Sequence, residues 1–116
     1  MSAPPRADKV RYVAGNIMRQ LFNNSKYPGM IANGLLVPEY PYLRDYQLKE
    51  PEKRKYPEPH GTRSQTIRYY DSNGQWVVEV HQYLRPDGTL GASGKQVPKR
   101  LRIRNTVFIF DRQSPT

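Results

Sequence analysis

The stretch QTIRYYDSNGQWVVEVHQYL, residues 65–84, constrains this chain more than any other. Asn73-Gly74 stands between two runs rich in β-branched and aromatic residues, a strong short-range signal for a β-hairpin. With Asn73 and Gly74 as the central residues of a type I′ turn, counting outward fixes the register. Tyr70 then faces Val77, Tyr69 faces Val78, Arg68 faces Glu79, Ile67 faces Val80 and Thr66 faces His81. Side chains alternate between the two faces of a sheet. One face carries Ile67, Tyr69, Trp76, Val78 and Val80 and reads as core. The other carries Thr66, Arg68, Tyr70, Val77, Glu79, His81 and Tyr83. Arg68 opposite Glu79 is a favourable cross-strand pair, which supports this register.

More strands follow. Arg85-Pro86-Asp87-Gly88 has turn chemistry, and Thr89–Leu90 reads as a short strand beyond it. In PKRLRIR, residues 98–104, Arg100, Arg102 and Arg104 alternate with Leu101 and Ile103, so the guanidiniums share one side of a strand. Val107–Phe110 forms the last strand.

Ahead of the hairpin, Val10, Val13, Ala14, Ile17, Met18 and Leu21 recur at helical spacing. This predicts an amphipathic helix over 5–24, with Pro4, Pro5 and Asp8 at its start. Residues 26–62 are rich in proline, and Tyr-Pro occurs at 27–28, 40–41 and 56–57. They predict an extended arm, because proline biases the residue before it toward extended geometry. The expected architecture is a single α+β domain over 1–116. One N-terminal helix covers a mostly antiparallel sheet of four or five strands within 63–112, and the Pro/Tyr-rich arm links the two.

Charge narrows the function. The chain carries 19 Lys and Arg against 10 Asp and Glu, a formal net charge of +9, and twelve of those cations are arginine. Arginine matches phosphate geometry and stacks on bases. A basic surface interleaved with tyrosine is the footprint of a nucleic-acid binder. The first expectation is therefore a small, non-enzymatic protein that binds RNA or DNA through one sheet face. Arg68, Tyr70, Tyr83, Lys99, Arg100, Arg102 and Arg104 are its candidate contacts.

A second reading uses the arm. Tyr40, Tyr42, Tyr46 and Tyr56 are residues of the kind enriched at protein interfaces. They fit a protein-interaction module: an assembly subunit, a homo-oligomer, or an inhibitor from a phage or mobile element. A third reading is a metal-independent ribonuclease, with Glu79 as base and His81 as acid. The two side chains lie on one side of one strand, about 7 Å apart.

Other chemistries lack their residues. There is no cysteine, and His60 and His81 are the only histidines, so no metal site and no cofactor is expected. GASGK, residues 91–95, departs from a phosphate-binding loop, since Thr89 replaces the first glycine and Gln96 follows the lysine. No apolar run is long enough to span a membrane, and MSAPPRADK has no hydrophobic signal region. The expected location is the cytoplasm.

Overall fold

The computed structural model describes residues 9–113. It shows an α+β fold built on a mixed, mostly antiparallel seven-stranded sheet. The strands are β1 (Lys9–Val13), β2 (Val37–Pro38), β3 (Arg44–Gln47), β4 (Arg63–Tyr70), β5 (Trp76–Leu84), β6 (Val97–Ile103) and β7 (Thr106–Phe110). Their spatial order is β1-β7-β6-β5-β4-β2, and β3 also pairs with β4. Two short helices, α1 (Gly15–Asn23) and α2 (Tyr27–Ala32), cover one face. Among the described residues no α-helix covers the opposite face.

The helix expected over 5–24 is corrected. Residues 5–8 lie outside the described part, and Lys9–Val13 is a strand running parallel to β7. Val10, Tyr12 and Val13 are β-branched or aromatic, so they give up little helix propensity by extending. In exchange they pair the otherwise open edge of β7. Val10 and Tyr12 consequently stand exposed, not on a buried helical stripe. Helix α1 starts only after Ala14, where Gly15 passes close to the Phe110 ring; a Cβ there would lie 3.3 Å from it. Met18 and Phe22, one turn apart, carry its buried face.

The core lies between α1, α2 and the inner sheet face. Met18, Phe22, Leu36, Ile67, Tyr69, Val77, Val78, Val80 and Leu101 form one buried cluster. Met18, Val78, Val80 and Leu101 are fully enclosed, each worth roughly 1.5–3 kcal/mol of transfer from water.

The segment 26–62 is not one extended arm. It folds into α2, β2, β3 and a short 3-10 turn at Pro51–Lys53, and both of its strands pair with β4 of the same chain. The Tyr40–Pro41 bond within it is cis. Beyond β5, Thr89–Leu90 contributes only one bridge, Leu84 to Leu90, and no strand.

The hairpin keeps its expected register from Thr66–His81 to Tyr69–Val78, and departs from it near the turn. Asp71 Oδ1 accepts the N–H of Asn73 and of Gln75, at 2.9 and 3.0 Å. The Gly74 N–H bonds back to the Asp71 carbonyl, and Gly74 sits at φ 77°. This is a three-residue loop with a left-handed glycine, stabilised by the aspartate, in place of the two-residue type I′ turn. It shifts the pairing by one residue, so Tyr70 faces Trp76. A bulge in β5, opposite the Tyr69–Tyr70 step of β4, restores the register, with Val77 as the extra residue. The bulge exchanges two neighbours: Val77 enters the core, and Trp76 moves to the polar face.

Candidate nucleic-acid interface

On the uncovered face, Arg68, Glu79 and Arg100 come side by side from β4, β5 and β6. Arg68 Nη2 lies 3.1 Å from Glu79 Oε1, and Arg100 Nε lies 3.7 Å from Oε2. Glu79 is buried and spends both oxygens on guanidiniums. Both oxygens of the candidate base Glu79 are thus directed at cations.

The arginine alternation of β6 does not form one row of equivalent side chains. Arg100 turns to Glu79. Arg102 is buried; its Nε donates to the Trp76 carbonyl at 3.2 Å, and its guanidinium lies 4.8 Å from the Trp76 ring centre. Arg104 leaves the strand altogether. It occupies the β6–β7 turn at φ 54° and lines a groove with Tyr27 and Met30 on the helical side. Tyr70 donates its hydroxyl to Glu39 at 3.0 Å. Of the expected contact residues, Arg102 and Tyr70 thus hold other parts of the chain, and Arg104 lies away from this face.

Lys99 is positioned by a second bulge. Pro98 pairs with Val80 and Arg100 with Glu79, so Lys99 is the extra residue between them. Its ammonium lies 4.6 Å from the Phe110 ring centre. Burial, then the charges of Arg112 and Arg19, push its pKa down.

Lys99 opens into a cleft of about 530 Å³ at one end of the polar face. Arg44, Tyr46, Ser64, His81, Tyr83 and Arg112 also line it. Strand β3 brings Arg44 and Tyr46 there, because Arg44 pairs with Thr66 and Tyr46 with Ser64. His81 Nε2 lies 2.8 Å from Ser64 Oγ, and its ring meets Tyr83 edge-on at 4.6 Å. Burial first, then the charges of Lys99, Arg54 and Arg44, lower the His81 pKa. The imidazole therefore sits neutral in a field of cations. Among the described residues Glu79 is the only carboxylate lining the cleft, and it is already paired with two guanidiniums. Among the described residues no ion pair engages Arg44, Lys99 or Arg112.

The four arm tyrosines separate. Tyr40 is exposed and meets Tyr42 edge-on, while Tyr42 packs against the core. Tyr46 lines the cleft just described, and Tyr56 lines another. Sequence reasoning missed Arg44, Ser64, Arg112 and Arg54 as lining groups. Alternation in RDYQ was the one local signal for β3, and nothing in the sequence named β4 as its partner. No helix among the described residues is long and apolar enough to cross a membrane. Among them no group of three His, Cys, Asp or Glu side chains is placed to hold a metal ion. No protein-family model, curated protein or solved structure matches this chain.

Proposed function

We propose that this protein binds single-stranded nucleic acid in the cleft on its uncovered sheet face. One observation carries the reading: among the described residues the cleft's sole carboxylate is consumed by Arg68 and Arg100, and no ion pair engages Arg44, Lys99 or Arg112 beside the tyrosine rings. Cations that follow a backbone, next to rings that stack bases, suffice for binding without catalysis. The proposed contacts are Arg44, Tyr46, His81, Tyr83, Lys99 and Arg112, a set that overlaps the sequence-based one only in Tyr83 and Lys99.

Titration of a labelled single-stranded oligonucleotide by fluorescence anisotropy, across a salt series, tests it. Three phosphate contacts give a log–log salt slope of about −2. Affinity weaker than about 1 mM at low salt overturns the proposal, since non-specific binding of this kind is ordinarily far tighter.

A second reading, a protein-interaction module, draws on a different edge. Leu35, Val37 and Tyr40 stand exposed along the β2 side of the sheet. Because β2 and β3 belong to the sheet, deleting 38–60 would remove part of the fold. Val37→Glu with Tyr40→Ser is the informative variant. A measured oligomer that dissociates in this variant supports the reading, and a monomer at all concentrations opposes it.

A further inference from the structure

A second cleft of about 410 Å³ lies against the first and shares Tyr83 with it. Its other lining residues are Arg54, Lys55, Tyr56, Glu58 and Ala92. The two clefts follow the same electrostatic pattern. Among the described residues Glu58 is the only carboxylate here, and the framework already holds it. Arg85 donates Nε to its Oε2 at 2.9 Å and Nη2 to its Oε1 at 3.3 Å, while the Ala92 N–H donates to Oε1 at 2.7 Å. These bonds, Arg85's first, hold the Glu58 pKa below the usual carboxylate range, so the pair stays intact at neutral pH. Gly91 permits the approach, since a Cβ there would fall 2.4 Å from Glu58 Oε1. The GASGK loop is thus a buttress for Glu58 and not a phosphate cradle.

With Glu58 neutralised, Arg54 and Lys55 are left over. Arg54 lies 4.9 Å above the Tyr83 ring centre and donates to its hydroxyl at 2.8 Å. Lys55 lies 5.5 Å from the Tyr56 ring centre. Each tyrosine thus has a cation over its ring, the pairing of aromatic and positive charge that holds a stacked base and its phosphate. Tyr83 is a wall of each cleft, so a strand leaving the first at Tyr83 meets Arg54 next.

We propose that the second cleft continues the binding track, so that the ligand is an oligonucleotide spanning both clefts through the Tyr83–Arg54 joint, not a mononucleotide. This rests on the function proposed above. A mononucleotide fills one cleft and gains nothing from the other. An oligonucleotide of about four nucleotides or more engages both.

The test is a length series, from mononucleotide to about twelve nucleotides, titrated in parallel RNA and DNA arms against the wild-type chain, Lys55→Ala/Tyr56→Ala and Lys99→Ala. Lys55 and Tyr56 are exposed, and circular dichroism is the check that the double variant folds. Wild-type affinity should climb at least about tenfold between the shortest and longest ligands, the size of one base–aromatic stack. The double variant should bind the shortest ligands as wild type does and lose the climb. Lys99→Ala should weaken binding at every length. A climb confined to one arm supports the proposal and assigns the sugar. A wild-type affinity independent of length, or a climb retained in the double variant, overturns the second cleft while leaving the first intact. No binding at any length overturns the underlying function.

Discussion

Arg68 and Glu79 face each other across β4 and β5, with Nη2 3.1 Å from Oε1, and Arg100 approaches the same carboxylate from the other side at 3.7 Å. The carboxylate thereby decides how much positive charge this face shows to solvent. Glu79→Gln should release both guanidiniums and strengthen binding of a single-stranded oligonucleotide several-fold. The salt slope should steepen by about 0.7 for each arginine that gains a phosphate. Denaturant unfolding should show a loss of about 1–3 kcal/mol, because hydrogen bonds to a charged, buried partner disappear. Weaker binding in this variant would contradict the arrangement, and a ribonuclease using Glu79 as base would lose its activity.

Arg44 and Lys99 reach the cleft from strands that are not neighbours in sequence, and no ion pair holds either one among the described residues. Arg44→Ala and Lys99→Ala should each reduce the magnitude of the salt slope by about 0.7. Arg44→Ala should change stability by no more than about 0.5 kcal/mol, as usual for an exposed position, while Lys99→Ala gives up the contact with Phe110 and should change it by about 0.5–1 kcal/mol. Anisotropy titrations and urea melts measure the two quantities separately. An unchanged slope in both variants would place the phosphates elsewhere.

The bulge that exchanges Trp76 and Val77 makes a stability prediction opposite to that of an unbroken hairpin. Val77 is buried in the core, so Val77→Asp should cost about 3 kcal/mol or more by enclosing an unpaired charge. Trp76 stacks with Arg68 and Arg102 on the polar face, at 5.7 and 4.8 Å. Trp76→Phe should cost about 1 kcal/mol, through weaker cation–π contact. Equal losses, or the reverse order, would show that the residues occupy the positions of the unbroken register.

His81 couples binding to pH. Its ring meets Ser64, Tyr83 and the cations Lys99, Arg54 and Arg44, with Glu79 two residues away on the same face. Burial and those cations lower its pKa in the folded chain. Its contribution to stability is therefore present above the unfolded value of about 6.5 and is lost as pH falls through the lower folded value. A bound polyanion favours the imidazolium, so affinity should rise as pH falls through the bound-state value toward the lower value of the free folded chain. An NMR titration of the His81 ring should show its midpoint moving up when oligonucleotide is added. A midpoint that stays in place would remove His81 from the site.

The parts of this protein that were legible in the sequence are those whose causes are local. Alternation alone put Arg68, Glu79 and His81 on one side, and Asn73-Gly74 located the hairpin. The body of its register came out as expected only because two one-residue departures cancel, the three-residue loop capped by Asp71 and the bulge at Val77. Near the turn they do not cancel, which is why Trp76 and Val77 were assigned to the wrong faces. The helical stripe failed for a related reason. Val10, Val13 and Ala14 fit a helix by spacing, yet the open edge of β7 offered β1 a partner that no spacing within the N-terminal segment reveals.

By itself, then, the sequence determined that one β-hairpin forms, which of its charges share a side, and that the chain is strongly basic. Only the tertiary structure decided which cations remain available. Glu79 captures Arg100 from β6, Glu58 captures Arg85, Trp76 holds Arg102, and β3 carries Arg44 and Tyr46 to a cleft whose far wall is Lys99 and Arg112. The physical reason is range. Turn chemistry and side-chain alternation act between neighbours along the chain, whereas strand pairing and ion pairing act between residues that meet only after distant segments have closed on one another.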